Sequence, residues 1–237
     1  MDIKAVIFDL GNTLLHYTDN INWTNLYSPA IRQVLSACNL PYCKKSDLAA
    51  QKILTKYNTR VNFRDYEVSS DTIFTEMLNC WGASLSHLFA AKHAFYTFFQ
   101  KDVVCYDDTI STLSALKARG IKIGVLTDVP YGMDNEYVLK DLDPIKDYID
   151  ICLTSNDTGH RKPNPKGFKQ IVGSPYMVTP SQQIPNDKIA YIGDEQKDID
   201  GANSIGLISI LINRSSETKN WGQDHTISKL SELLAIL

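Results

Sequence analysis

Five short apolar runs punctuate the chain: Ala5–Phe8, Ile121–Leu126, Tyr148–Leu153, Ile189–Ile192 and Leu207–Ile212. Each is rich in Ile and Val and bounded by polar residues or glycine, the pattern of strands buried on both faces of a parallel sheet. Helical periodicity lies between the later runs. Over Thr109–Arg119 it places Ile110, Leu113 and Leu116 on one face, and Gly120 is the stop. The segment Asp198–Ile205 ends at Gly206 in the same way. This alternation predicts an α/β fold with a doubly wound, Rossmann-like parallel sheet.

The alternation breaks between the first run and the second. From Tyr17 to Tyr106 the chain reads as amphipathic helices, the best over Pro29–Ala37, Ser46–Tyr57, Ser70–Trp81 and Ser84–Phe99. The simplest account is an inserted, mainly helical cap domain at 17–106, with an α/β core made of 1–16 and 107–237. The linkers His16–Asn20 and Asp102–Asp107 contain neither glycine nor proline, so a hinge there must use ordinary residues. The aromatic run Phe95, Tyr96, Phe98 and Phe99 is expected to pack inside the cap or at its hinge.

Composition narrows the function classes. Lys plus Arg number 24 against 27 for Asp plus Glu, a formal net charge of −3 in 237 residues. A mildly acidic chain lacks the basic face that general nucleic-acid binding requires. No apolar run approaches the roughly 20 residues of a membrane span. The opening Met1-Asp2-Ile3-Lys4 carries no basic, apolar leader, which predicts a cytoplasmic protein. The cysteines Cys38, Cys43, Cys80, Cys105 and Cys152 form no Cys-x-x-Cys pair and read as free thiols in a reducing compartment.

In open α/β sheets the ligand crevice lies at the carboxyl ends of the strands. Here the first strand is followed by Asp9, the second by Thr127 and Asp128, and the fourth by Asp194, with Asp198 four residues on. Lys162 lies between the third and fourth. Carboxylates at strand ends are hard oxygen ligands suited to Mg²⁺. A lysine and backbone N–H groups hold phosphate oxygens, and a carboxylate near phosphorus can act as nucleophile.

Four segments in order, Asp9-Leu10-Gly11-Asn12-Thr13, Val125-Leu126-Thr127, Lys162 in RKPNP with Phe168, and Gly193-Asp194 running through Asp198 to Asp200-Gly201-Ala202, resemble the motifs of the haloacid dehalogenase-like hydrolase superfamily. The resemblance covers about Met1–Leu15 and Asp107–Ile212, and the insertion resembles the family's cap after the first motif. It implies a phosphatase acting on a small phosphorylated metabolite, with Mg²⁺ as cofactor, as a monomer or homodimer. Asp9 would be nucleophile and metal ligand, Thr127 and Asp128 would bind the phosphoryl group, and Lys162 would neutralise it and keep Asp9 charged. Asp194 would bind the metal together with the backbone carbonyl of Gly11. Asp198 would support, orienting Lys162 or a metal-bound water.

The family's phosphatases usually carry a second Asp at the position of Gly11, where it protonates the leaving group and later activates water. His16, Asp19 and Asp128 are the nearby candidates to replace it. Without a replacement, aryl and acyl phosphates should react better than alkyl ones. Gly11 opens two other readings: a binding or regulatory protein with little turnover, or a dehalogenase whose Asp9 attacks carbon. In the cap, Arg60, Arg64, Trp23, Tyr27 and Tyr66 could meet the organic part of a substrate, Arg64 first among them, because an arginine can grip an anionic group in bidentate fashion.

Overall fold

The computed structural model describes residues 2–17, 23–100, 103–178, 183–215 and 217–237. Strands β1 (Ala5–Phe8) and β2 (Leu15–Tyr17) lead into helices α1 (Tyr27–Ala37), α2 (Lys44–Tyr57), α3 (Ser70–Cys80) and α4 (Leu88–Phe99). Then come β3 (Val103–Cys105), α5 (Thr109–Ala118), β4 (Lys122–Thr127), α6 (Asn135–Asp141), β5 (Ile151–Thr154), α7 (Ser155–Thr158) and α8 (Pro165–Val172). The chain closes with β6 (Ile189–Gly193), α9 (Gln196–Ser204), β7 (Ile208–Ile212), β8 (His225–Ile227) and α10 (Leu233–Ile236).

Six strands form one parallel sheet in the order β5-β4-β1-β6-β7-β8. β1 is central, with Phe8 level with Val125 of β4 and Ile192 of β6. Side chains alternate across a strand, so Val6 and Phe8 pack with Leu113 and Leu116 of α5, while Ala5 and Ile7 pack with Phe168 and Ile171 of α8. Burial on both faces is why these runs lack polar alternation. On the second face α8 and α9 approach so closely that a Cβ at Gly201 would sit 2.1 Å from the Phe168 ring.

Two details differ from the sequence expectation. Ile110 is exposed, and α5 buries Thr109, Thr112, Leu113 and Leu116. Three residues turn a helix through about 300°, so Ile110, Leu113 and Leu116 drift around the axis by some 60° at each step. The third strand begins at Ile151, because Lys146–Tyr148 forms a 3₁₀ turn before it.

The two linkers pair with each other. β2 and β3 form an antiparallel ribbon, with Leu15 opposite Cys105 and Tyr17 opposite Val103. Tyr17 Oη donates to Asp141 Oδ2 at 3.0 Å, and Gln100 Nε2 donates to Asp141 Oδ1 at 3.0 Å. One core carboxylate therefore holds the first linker and the C-terminal cap of α4. Beyond the ribbon, α1–α4 pack around an aromatic interior. Trp23 stacks on Phe99 at 3.9 Å between ring centroids, and Phe74, Phe95 and Tyr96 are fully buried beside them. This interior is continuous with the Val6 face of the sheet through Leu10, Leu14 and Tyr131. No helix among the described residues is long and apolar enough to cross a membrane.

Candidate active site

The site is built at the carboxyl end of the sheet. Asp9 follows β1, and its N–H donates to the Ile192 carbonyl of β6 at 2.8 Å. β4 ends in buried Thr127, with Asp128 next, and Asp194 follows β6. Lys162 enters from the loop between α7 and α8 and is buried. Its Nζ donates to Asp9 Oδ1 at 2.7 Å, to Asp198 Oδ1 at 2.6 Å and to Tyr191 Oη at 3.2 Å. Three acceptors match the three protons of an ammonium. Burial alone would favour the neutral amine, but Asp198 and Asp9 hold Lys162 well above its ordinary pKa.

Asp198 is completely buried. Its Oδ2 accepts the Glu195 N–H at 3.0 Å, closing the first turn of α9. Gly193 makes room for it, since a Cβ there would lie 2.3 Å from Asp198 Cγ. Burial, reinforced by Asp9, raises the Asp198 carboxyl to about 6 in spite of Lys162.

Asp9, Asp194 and Asp198 each offer an oxygen within 4.8 Å of the others. Burial, and then the charges of Asp9 and Asp198, push Asp194 up to about 7. Carboxylates this crowded have more negative charge than Lys162 balances. The donors are all oxygen, so the set fits a hard divalent cation such as Mg²⁺. Gly11 is exposed beside them, and no heavy atom lies within 4 Å of where its Cβ would stand.

The candidates for a replacement acid fare poorly. Asp128 faces cations: Lys197 Nζ lies 3.1 Å and Arg161 Nη2 3.8 Å from its Oδ2, and the Lys162 N–H donates to its Oδ1 at 3.0 Å. Burial would raise its pKa, but Lys197, Lys162 and Arg161 together hold it below the usual range. Such a carboxylate neither donates a proton at neutral pH nor attracts a phosphate. The expectation that the Asp128 side chain binds phosphate is corrected: these cations occupy it. His16 lies on β2 with its ring against Tyr106 and its Nδ1 3.3 Å from the Tyr17 carbonyl. Asp19 falls outside the described residues.

Arg64 is also differently placed. Its side chain is 8% exposed, its Nη1 donates to the Tyr57 carbonyl at 2.7 Å, and its Nη2 lies 3.4 Å from Glu67. The guanidinium braces the insertion's own backbone. Tyr27 is buried and hydrogen-bonded to Tyr131, and Trp23 packs on Phe99. Arg60 alone of the expected cap residues forms an ion pair at the site's rim, its Nη2 donating to Glu195 Oε1 at 2.8 Å.

Five contributors have no role that the sequence alone assigns. Tyr191 reads as a core strand residue, yet its hydroxyl receives Lys162 and donates to the Leu126 carbonyl at 3.1 Å. Glu67 is a buried carboxylate from the insertion that pairs with Arg161, beside the Ser155 hydroxyl at 2.5 Å. Arg161 in turn donates to the Val129 carbonyl at 2.7 Å. Lys197 bridges Asp128 and Glu195, its Nζ 2.8 Å from Glu195 Oε2. Burial would raise the Glu195 carboxyl, but Lys197 and Arg60 bring it down to about 2. A signal for Lys197 does exist. It occupies the first turn of α9, where the helix dipole disfavours a cation unless a carboxylate compensates.

Comparison with known proteins places the chain in a family. The haloacid dehalogenase-like hydrolase family matches residues 3–206. A glyceraldehyde 3-phosphate phosphatase of Methanocaldococcus jannaschii is 32% identical over 137 residues, covering 56% of each chain. The chain spans little more than half the length of several curated relatives it matches, a phosphatase of Mycobacterium tuberculosis and an (S)-2-haloacid dehalogenase of Pseudomonas among them. A glyceraldehyde 3-phosphate phosphatase of Methanopyrus kandleri is 27% identical across 99% of this chain and 97% of its own. Among solved structures, a 2-haloacid dehalogenase of Pseudomonas syringae shares the fold, with a TM-score of 0.65 at 20% identity over 99% of this chain and 97% of that one. By sequence over most of its length, the chain belongs to the haloacid dehalogenase-like hydrolase family.

Proposed function

We propose that this chain is a Mg²⁺-dependent phosphatase that hydrolyses a small phosphorylated metabolite through an aspartyl-phosphate at Asp9. One observation carries the reading: the buried Lys162 ammonium is shared between Asp9 and Asp198, with the Asp194 carboxylate within ligand distance of both. Such a centre sets a buried cation beside a carboxylate, where phosphoryl oxygens would arrive. The phosphatase relatives named above support the coarser reading, a phosphatase.

In this mechanism an Asp9 oxygen attacks phosphorus, and the bond to the leaving oxygen breaks with its electron pair. Lys162 offsets charge on the phosphoryl oxygens, and Thr127 donates its hydroxyl to one of them. Asp198 and Tyr191 fix Lys162. Asp9 and Asp194 would hold Mg²⁺, with the Gly11 carbonyl, and the ion supplies further charge neutralisation at the phosphoryl group. Water then attacks the phosphorus of the aspartyl-phosphate, releasing phosphate and restoring Asp9. No side chain at position 11 assists either proton transfer, so a poor leaving group takes its proton from water. The helices α1–α4 act as the cap that selects the substrate.

The test is hydrolysis of p-nitrophenyl phosphate. Turnover is expected with Mg²⁺, is lost with chelator, and falls to background in Asp9→Asn. Turnover that survives in Asp9→Asn contradicts the proposal.

A further inference from the structure

The insertion meets the core beside Lys162 along a short stretch of main chain. The Glu67 N–H donates to the Gly159 carbonyl and the Arg161 N–H to the Asp65 carbonyl, each at 3.0 Å, on either side of an antiparallel bridge between Tyr66 and His160. This contact carries the Glu67 carboxylate into the core, where its side chain is 3% exposed. Its Oε2 accepts from Arg161 Nη1 and from the Ser155 hydroxyl. Those two groups in turn hold one residue: the Val129 N–H donates to Ser155 Oγ at 2.9 Å, and Arg161 Nη1 donates to the Val129 carbonyl at 2.7 Å. Val129 stands two residues beyond Thr127, and Arg161 immediately precedes Lys162. One carboxylate from the insertion thus joins the loop after β4 to the loop that carries Lys162.

Arg161 is buried as well, and its Nη2 also lies 3.8 Å from Asp128 Oδ2. Asp128 Oδ1 accepts the Lys162 N–H at 3.0 Å. A buried charge stripped of its partner is costly, so without Glu67 the guanidinium would turn to Asp128 and disturb the backbone at Lys162. We propose that Glu67 is a positioning residue supplied by the insertion: by neutralising Arg161 and anchoring Ser155, it sets the spacing of Thr127 and Lys162 about the phosphoryl group. The inference rests on the phosphatase reading and adds that the site's geometry depends on the insertion as well as on the core strands. A displacement of about 1 Å at such groups can slow a reaction about 10²-fold.

The experiment follows release of p-nitrophenolate from p-nitrophenyl phosphate in single turnover, with Mg²⁺ and saturating enzyme, beside the melting temperature of each variant. Glu67→Gln keeps the side chain's shape and the main-chain contact but removes the charge, and should slow this step by about 10–100-fold. Lys92→Met breaks a different ion pair between insertion and core, with Asp134 at 2.8 Å. It should lower the melting temperature and leave the rate unchanged, which separates positioning from mere docking. Because Glu67 acts through Arg161, combining Glu67→Gln with Arg161→Met should cost less than the product of the single losses. Should Glu67→Gln not fold, Ser155→Ala decides: it removes only the hydroxyl that holds the Val129 N–H, and the step should still slow. An unchanged rate in the deciding variant, an equal slowing in Lys92→Met, or independent losses in the pair overturns the inference while leaving the phosphatase reading intact. If the wild type does not hydrolyse p-nitrophenyl phosphate, the phosphatase reading itself fails, and this inference with it.

Discussion

Gly11→Asp is expected to accelerate hydrolysis of alkyl phosphates by about 10²–10⁴-fold, the usual worth of a positioned general acid and base. The structure allows the substitution. Gly11 is exposed, its backbone is outside the left-handed region, and nothing lies within 4 Å of the added Cβ. The gain should be selective. An alkoxide leaving group needs a proton, whereas p-nitrophenolate departs without one, so p-nitrophenyl phosphate should speed up by less than about tenfold in its first step. Single-turnover rates of the first step on both classes of substrate check this. An equal effect on both, or no gain on alkyl esters, would show that protonation of the leaving group does not limit the wild type. It would also point back to a proton donor among the groups near the site.

Lys162→Met should have the second large effect, on both activity and stability. Activity on p-nitrophenyl phosphate should fall by about 10³-fold, as when a preorganised charge-stabilising donor is lost. Removing one partner from a buried ionic cluster typically costs about 3–5 kcal/mol, because here Asp9 and Asp198 would be left without their cation. That cost has a definite pH dependence. The Asp198 carboxyl already stands at about 6 in the intact protein, above its unfolded value, and losing Lys162 raises it further. Between the unfolded value near 4 and the raised folded value, the native state then binds more protons than the unfolded state. The variant's stability should therefore fall as pH rises through this window. Denaturant unfolding in chelator should show a small difference from wild type near pH ~4.5 and the full difference near pH ~8. A pH-independent difference would mean that the cluster is not the source.

Much of the sheet is legible in the sequence because its strands are buried on both faces, which leaves Ile- and Val-rich runs such as Ala5–Phe8 without ambiguity. The strand ends then give Asp9, Thr127 and Asp194 their places, since a parallel sheet brings the residues after each strand to one rim, and Lys162 reaches the same rim from the loop before α8. β8 is not legible: His225-Thr226-Ile227 is three residues with one buried side chain, too short to carry a period. The β2–β3 ribbon is invisible for a similar reason, its pairing joining segments far apart in sequence. Arg64 misleads because sequence shows a charge but not its neighbours; Glu67, three residues on, is the partner that draws it inward. The rim line of Arg60, Glu195 and Lys197 depends on a contact between insertion and core, and no local pattern encodes that.

The central claim is that Asp9 becomes covalently phosphorylated. The measurement that tests it most directly is rapid acid quench of the Mg²⁺-loaded protein during turnover of p-nitrophenyl phosphate, followed by mass analysis of its peptides. With Gly11 offering no base to activate water, the intermediate should persist long enough to trap. The account predicts one added phosphoryl group on the peptide containing Asp9, absent in Asp9→Asn and shorter-lived in Gly11→Asp. Brisk wild-type turnover with that peptide unmodified at every quench time would contradict it.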